Sequence, residues 1–440
     1  MKKLLLLASL TVSATAYAED PPDPMNPQDL VSPTSVVEGA GVKVGEGTVI
    51  HPVAGLETGF VSNVFYEEAG QTNTAGLLRV IAELSTGSLP NERRNITNEA
   101  ATDPEEQSRE QGKIAYLASV YAQYDQYLST NDAIQEAGGL GGGVLFKGIV
   151  NPEKTFQFGF LEHFDRVVRA TNFESSENTN RDVNQLSLRL AYQPRGRNLG
   201  GYLYYRNLID YFERERQQFA NRFQNTFGLR VNYQWLPMTR VYADASIGYN
   251  TGLGSESKKI DSYPLDLELG IMTVLAVNMT LNAHAGYTNG FYASGPSYSA
   301  ATAGVQFGYR YSPLGRAVLM YDYAHHDSIN GNFFRDHLFR IGIDQQFVPF
   351  AVSANGELHF RRYEGITEVT GVMGNSAVRD DVIGQVTLGA RYMFRSWFAA
   401  VVDYQFAVVK TDFRYDAGDG LMDDPSFLRH QLLAGVRAAY

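Results

Sequence analysis

The chain ends Leu428-Arg-His-Gln-Leu-Leu-Ala-Gly-Val-Arg-Ala-Ala-Tyr440. Counting back by twos from the terminal aromatic gives Ala438, Val436, Ala434 and Leu432, all apolar. The alternate positions Ala439, Arg437, Gly435 and Gln431 are small or polar, and only Leu433 breaks the series. A period of two sends successive side chains to opposite faces of a strand. One apolar face and one polar face, closed by an aromatic, predict a strand standing between lipid and water.

The amino end agrees. Met1-Lys2-Lys3 is a basic start, Leu4 to Val12 a short apolar run, and Ala16-Tyr17-Ala18 a small-residue cleavage site. Residues 1–18 are therefore expected to be a removed signal peptide, leaving Glu19 as the mature start. The run is too short to span a bilayer. No Cys follows it, which excludes a lipid-anchored lipoprotein. With 0 Cys in the chain, disulfides and thiolate metal sites are excluded too. No later stretch approaches the ~18 consecutive apolar residues of a transmembrane helix. A net charge of −11 without a basic cluster argues against nucleic acid as a partner.

The rest of the chain divides into alternating segments. Residues 19–50, with Pro21, Pro22, Pro24, Pro27 and Pro33, read as an extended periplasmic arm, and the barrel is expected over 51–440. Leu186, Leu188, Leu190 and Tyr192 oppose Ser187 and Arg189. Phe227, Leu229, Val231, Tyr233 and Trp235 oppose Arg230, Asn232 and Gln234. Val386, Leu388, Ala390, Tyr392 and Phe394 oppose Thr387 and Arg391. Such segments begin near 51, 76, 113, 138, 154, 183, 198, 222, 238, 263, 277, 298, 315, 333, 350, 382, 397 and 427. The expectation is an all-β transmembrane barrel, antiparallel and up-and-down, of about 18 strands, with both termini periplasmic.

The connections test that count. Short links at 151–153, 194–197, 237, 276–277, 312–315, 348–349 and 395–396 alternate with longer ones at 168–181, 211–221, 252–261, 364–380 and 411–425. Segment 86–112 departs from the phase. It stands where a tight turn is expected, yet carries Asn91, Glu92, Arg93, Arg94, Glu105, Glu106, Arg109 and Glu110. It reads as a charged periplasmic insertion, either disordered or a contact for a partner.

A barrel of this size leaves an aqueous lumen. Parity places Arg79, Arg189, Arg206, Arg230, Arg240, Arg310, Arg340, Arg391 and Arg437 on its inner face. Facing them are Glu57, Glu83, Asp244, Asp266, Glu268, Asp322, Asp344, Glu357 and Asp403, with Tyr121, Tyr204 and Tyr242 adding rings. Mixed charge and rings suit a hydrated, polyhydroxylated substrate. The same charges also serve simply to brace the wall in pairs. No cofactor set emerges, and no metal set: His325 and His326 are adjacent and so face opposite sides. His326-Asp327-Ser328 has the H-x-S spacing of outer-membrane phospholipases, and a Ser near a His can be activated as a nucleophile. Ile329, however, interrupts that family's H-x-S-N-G pattern, and parity turns His326 towards the lumen, so no enzyme is expected.

Two resemblances add to this reading. The ending on Tyr440 resembles the insertion signal by which outer-membrane barrels reach the barrel-assembly machinery. The opening Gly45-Glu-Gly-Thr-Val-Ile-His-Pro-Val-Ala-Gly-Leu-Glu-Thr-Gly-Phe-Val-Ser-Asn-Val-Phe-Tyr66 resembles the first strand of the beta-barrel porin 2 family, in its Ser62-Asn63-Val64-Phe65-Tyr66 element. The chain is similar to that family's myxobacterial members. The resemblance implies an outer-membrane barrel associated with exopolysaccharide export, whose partner is a periplasmic polysaccharide-export protein. It implies no catalytic motif, and segment 86–112 departs from the family's pattern.

Export of a secreted polysaccharide across the outer membrane is thus the leading expectation, with outer-membrane lipid, the assembly machinery, the export protein and the polysaccharide as partners. One alternative is a general diffusion or small-solute porin. Another is a barrel that merely anchors surface or adhesion loops.

Overall fold

The computed structural model describes residues 41–44, 48–68, 72–87, 113–152, 154–168, 180–366, 378–416 and 422–440. The expected signal peptide, most of the expected proline-rich arm and residues 88–112 of the expected insertion lie outside them. The barrel strands are β1 Thr48–Val61, β2 Ala75–Gly87, β3 Ile114–Leu128, β4 Gly139–Val150, β5 Phe156–Val167 and β6 Arg181–Tyr192. Next come β7 Leu199–Phe212, β8 Arg222–Leu236, β9 Thr239–Gly252, β10 Leu265–Ala276, β11 Met279–Asn289 and β12 Ser299–Ser312. The last six are β13 Gly315–Asp327, β14 Phe333–Phe347, β15 Phe350–Glu364, β16 Val378–Arg395, β17 Phe398–Thr411 and β18 Phe427–Ala439. Each pairs antiparallel with its sequence neighbours, and β18 returns to β1, with Val53 opposite Ala439 and Val61 opposite Gln431. The sheet is a closed barrel of eighteen strands, to which Val42–Val44 adds a short hairpin against the start of β1. The end of the expected arm is therefore part of the sheet, and Thr86 and Gly87 of the expected insertion complete β2.

The burial pattern is inverted relative to a protein dissolved in water. Leu269 is 68 % exposed on the outer face, whereas Glu57 is 1 % exposed inside. Only a lipid solvent makes that arrangement favourable. Closure also matters here, because every backbone group in the apolar zone must find its partner within the sheet. At the tight-turn end, outward rings form one girdle: Phe156 packs on Tyr192, Phe350 on Tyr392, and Trp397 against Tyr440. Near the long-loop end a second row includes Tyr249 stacked on Tyr263 and Tyr323 stacked on His337. Such paired aromatic belts mark the two interfaces of a membrane-spanning barrel. Tyr440 donates its backbone N–H to the Pro52 carbonyl at 3.0 Å, so the final residue also helps seal the joint between β18 and β1.

Leu433, which breaks the alternation of the last strand, has a structural reason. It faces inward and is buried with Val61, Leu77, Tyr127 and Ile134 in an apolar patch of the lumen. Ile134 belongs to a single helical turn, Asp132–Gln135, in the β3–β4 loop, capped by the Asn131 side chain on the Ala133 N–H at 3.0 Å.

The two ends of the barrel can be told apart by thiol labelling. Ser255→Cys in the long β9–β10 loop is expected to react with an impermeant maleimide on intact cells. Val277→Cys, fully exposed in the β10–β11 turn, is expected to react only after lysis. The opposite pattern would invert the orientation. Ser257 is a poorer probe, because its hydroxyl is tucked onto the Asn221 carbonyl at 2.6 Å.

Candidate functional site

The inner wall is a mesh of paired charges. Arg79 meets Asp125, directly opposite in register, through two contacts of 2.8 Å. Arg437 of β18 reaches Glu57 of β1 at 2.5 Å and Asp403 of β17 at 3.0 Å, clasping the strands on both sides of it. Arg340 pairs with Glu357 at 2.8 Å, and Glu357 lies 3.5 Å from His359. His359 bonds Asp336 at 2.7 Å, which takes Arg361 at 2.8 Å. Asp344 holds Arg316 at 2.7 Å near the turn end. Arg240, Arg310 and Arg391 also face inward, since they alternate with the exposed Ile247, Tyr309 and Tyr392 of their own strands.

Along β6 to β9 the mesh becomes a pavement of arginines on tyrosine rings. The Arg189 guanidinium lies 3.8 Å from the Tyr202 ring centre, Arg230 lies 3.7 Å from Tyr242, and Arg206 lies 4.9 Å from Tyr204. Each such contact contributes about 0.5–2 kcal/mol depending on desolvation. Glycines let the rings lie flat. Tyr204 faces Gly228 and Tyr242 faces Gly270 in register, where a Cβ would stand 2.1 and 2.2 Å from the ring. The phenols then point to the acidic side: Tyr204 donates to Asp244 at 2.9 Å and Tyr242 to Glu268 at 2.7 Å. Asp322 stands 3.3 Å from His284 beyond them.

The largest feature is a cap at the long-loop end. Phe212 of β7, Phe334 of β14 and Tyr363 of β15 belong to one buried apolar cluster with Phe219, Ala220 and Ile329. β7 and β15 stand on nearly opposite sides of an eighteen-strand ring, so the cluster lies across the lumen. Phe219 and Ala220 come from the short 3-10 helix Glu215–Ala220 of the β7–β8 loop, and Ile329 from the β13–β14 loop.

Charges lock this cap. Asp327, at the end of β13, takes Arg222 of β8 at 2.6 Å and Lys259 of the β9–β10 loop at 3.1 Å. Lys259 also donates to the Ser328 and Gly331 carbonyls at 2.5 and 3.0 Å. Arg222 shares Asp210 with Arg181. The β11–β12 loop joins in: Tyr292 donates to the Asn332 carbonyl at 2.7 Å, and the Asn332 amide donates to the Ser294 and Pro296 carbonyls. Burial, with Asp327 nearby, pushes the Tyr292 phenol well above its ordinary pKa, which keeps it a donor. Four loops are stitched into one lid.

Parity reasoning finds the mid-wall residues but misses Arg181, Asp210, Arg222, Lys259, Asp327 and Asp336. Most of these stand at strand ends or in loops, where alternation gives no direction. His326 faces inward and packs 5.2 Å from the Phe334 ring, and Ser328 is fully buried within the cap. Among the described residues, no group of three or more acidic or histidine side chains is arranged to hold a metal ion.

No protein-family profile matches the chain, and no curated protein matches it. Among solved structures it is similar to Pseudomonas aeruginosa OpdK crystallised with vanillate, at 10% identity and a TM-score of 0.45, over 89% of this chain and 99% of that one. P. aeruginosa OccK5 (OpdH) matches at 10% identity and 0.44, over 88% and 98%. Acinetobacter baumannii OccAB4 matches at 11% identity and 0.44, over 89% and 98%. At a tenth of residues identical, neither the solutes nor the partners of those proteins carry over to this chain.

Proposed function

We propose that this chain is an outer-membrane channel for small hydrophilic solutes, with its long loops outward and its termini in the periplasm. The observation that carries this reading is the cap. Eighteen strands alone would leave a wide aqueous bore. Here four loops fold inward and are tied across that bore by buried ion pairs and an apolar cluster. A lid built this way passes small solutes around its edge far more readily than a hydrated polymer. It also withdraws those loops from the outer surface, which disfavours the adhesion reading.

Polysaccharide export with a periplasmic partner is the competing reading. It is supported by the opening motif that ends at Tyr66 and by the charged segment, whose residues 88–112 lie outside the described structure. The two readings separate in one experiment. Purified barrel in planar bilayers is expected to give discrete conductance steps, and proteoliposomes are expected to swell with mono- and disaccharides but not with a long polysaccharide. A strain lacking residues 91–110 is expected to keep its surface polymer. Loss of that polymer, with no solute flux through the purified barrel, would overturn the channel reading in favour of export.

A further inference from the structure

On the outer face, three cations stand on one level. Arg335 is 347 − 335 = 12 residues above the turn-end Phe347 of β14. Arg362 is 362 − 350 = 12 above Phe350 of β15, and Lys410 is 410 − 398 = 12 above Phe398 of β17. With about 3.4 Å per residue and a tilt near 40°, that height is on the order of 30 Å. The apolar band of such a barrel is only about 25 Å tall. The three side chains therefore sit just above the hydrocarbon, where lipid headgroups begin.

Their arrangement is costly for a bare wall. Arg335 and Arg362 are directly opposite each other in register, and like charges so placed destabilise a sheet. Arg362 has Glu364 and Asp380 beside it, each at 3.6 Å and all three partly exposed. Glu364 stands one step higher on the same face of β15, and Asp380 is directly opposite Arg362 on β16. Arg362 thus has one acidic and one basic cross-strand neighbour, while Arg335 keeps only the basic one on that side. Arg335 and Lys410 have no ion-pair partner among the described residues. Below the arginines lies a shelf of outward rings: His337 stacked 4.4 Å from Tyr323, and Phe339 edge-on to Phe360.

We infer that Arg335 and Arg362, with Lys410 nearby, bind the phosphate of an outer-leaflet phosphoglycolipid headgroup, whose sugar and upper acyl carbons rest on the ring shelf. Guanidinium groups match phosphate oxygens in paired, charge-assisted hydrogen bonds. A phosphate between the two arginines removes their mutual repulsion. The inference uses the orientation given above but not the channel activity, so bilayer conductance tests that activity independently.

Native mass spectrometry of the full-length barrel in detergent, with added diphosphoryl lipid A, provides the test. Wild-type protein is expected to retain one lipid A molecule, and R335Q/R362Q to retain about tenfold less or lower, equivalent to about 1.4 kcal/mol. Gel mobility before and after heating reports whether the variant is folded. A second arm needs no variant: on wild-type protein, fully dephosphorylated lipid A is expected to bind weakly, and inorganic phosphate to displace little. Equal retention with and without lipid phosphates would overturn the inference. So would an Arg335-dependent dimer in place of a lipid adduct, or displacement by free phosphate at low concentration.

Discussion

Asp327→Ala is expected to raise the single-channel conductance of this barrel while leaving the barrel folded. The Asp327 carboxylate is largely buried and holds two cations from different loops, Arg222 at 2.6 Å and Lys259 at 3.1 Å. Removing one member of a buried charge set costs roughly 3–5 kcal/mol, because the remaining charges lose their compensation without regaining water. Arg222 would keep Asp210, and Lys259 would keep two carbonyls, but the tie between the β8 wall and the β13–β14 loop would be lost. The cap would then rest on the apolar cluster around Phe219 and Ile329 and on the Lys259 and Asn332 hydrogen bonds, with no ion pair left among the described residues between the β8 wall and the β13–β14 loop. Larger conductance steps and entry of larger sugars should follow, with unchanged heat-modifiability on gels. Asp327→Asn, which keeps an acceptor, should fall in between. If Asp327→Ala left both conductance and size cut-off unaltered, current would be shown to bypass the cap, and the cap could not be the selective element.

How much of this was legible beforehand follows from where periodicity operates. The wall was readable, because a barrel strand must alternate between lipid and water, and Leu186 to Tyr192 or Phe227 to Trp235 carry that alternation without a break. Strand starts inferred at 222, 315, 333, 350 and 427 coincide with observed ones. Luminal parity likewise puts Arg79, Arg230, Arg340 and Arg437 on the inner face where they are found. Partners were harder to read. Arg79 meets Asp125, and Arg437 meets both Glu57 and Asp403, and these pairings depend on register between strands far apart in sequence. The cap was not legible at all. His326-Asp327-Ser328 reads only as an interrupted H-x-S pattern, and nothing local says that Arg222, 105 residues earlier, reaches Asp327. The flat tyrosines do carry a sequence signal: an inward Tyr directly opposite a Gly on the next strand, as with Tyr204 and Gly228.

The second large effect concerns the wall itself. Leu269→Arg is expected to destabilise the barrel by roughly 2–4 kcal/mol, the cost of placing a guanidinium on the lipid face near the bilayer midplane. Leu269 is 68 % exposed in the middle of β10, so no neighbouring side chain shields it from hydrocarbon. A luminal contrast must be chosen with care. Ser187 lies on the inner face but is only 5 % exposed, so an Arg there would be crowded as well as charged. Asn355 is the better control, since it is inward, exposed to the lumen, and opposite the small Gly342 and Thr387. Asn355→Arg should cost far less, because its charge stays in water. Reversible unfolding in urea from detergent-free vesicles gives both values. Equal losses at the two sites would mean that the outer face is not solvated by lipid, and that Leu269 packs against protein. A large loss at Leu269 alone would establish the bilayer as the solvent for which this alternation is written.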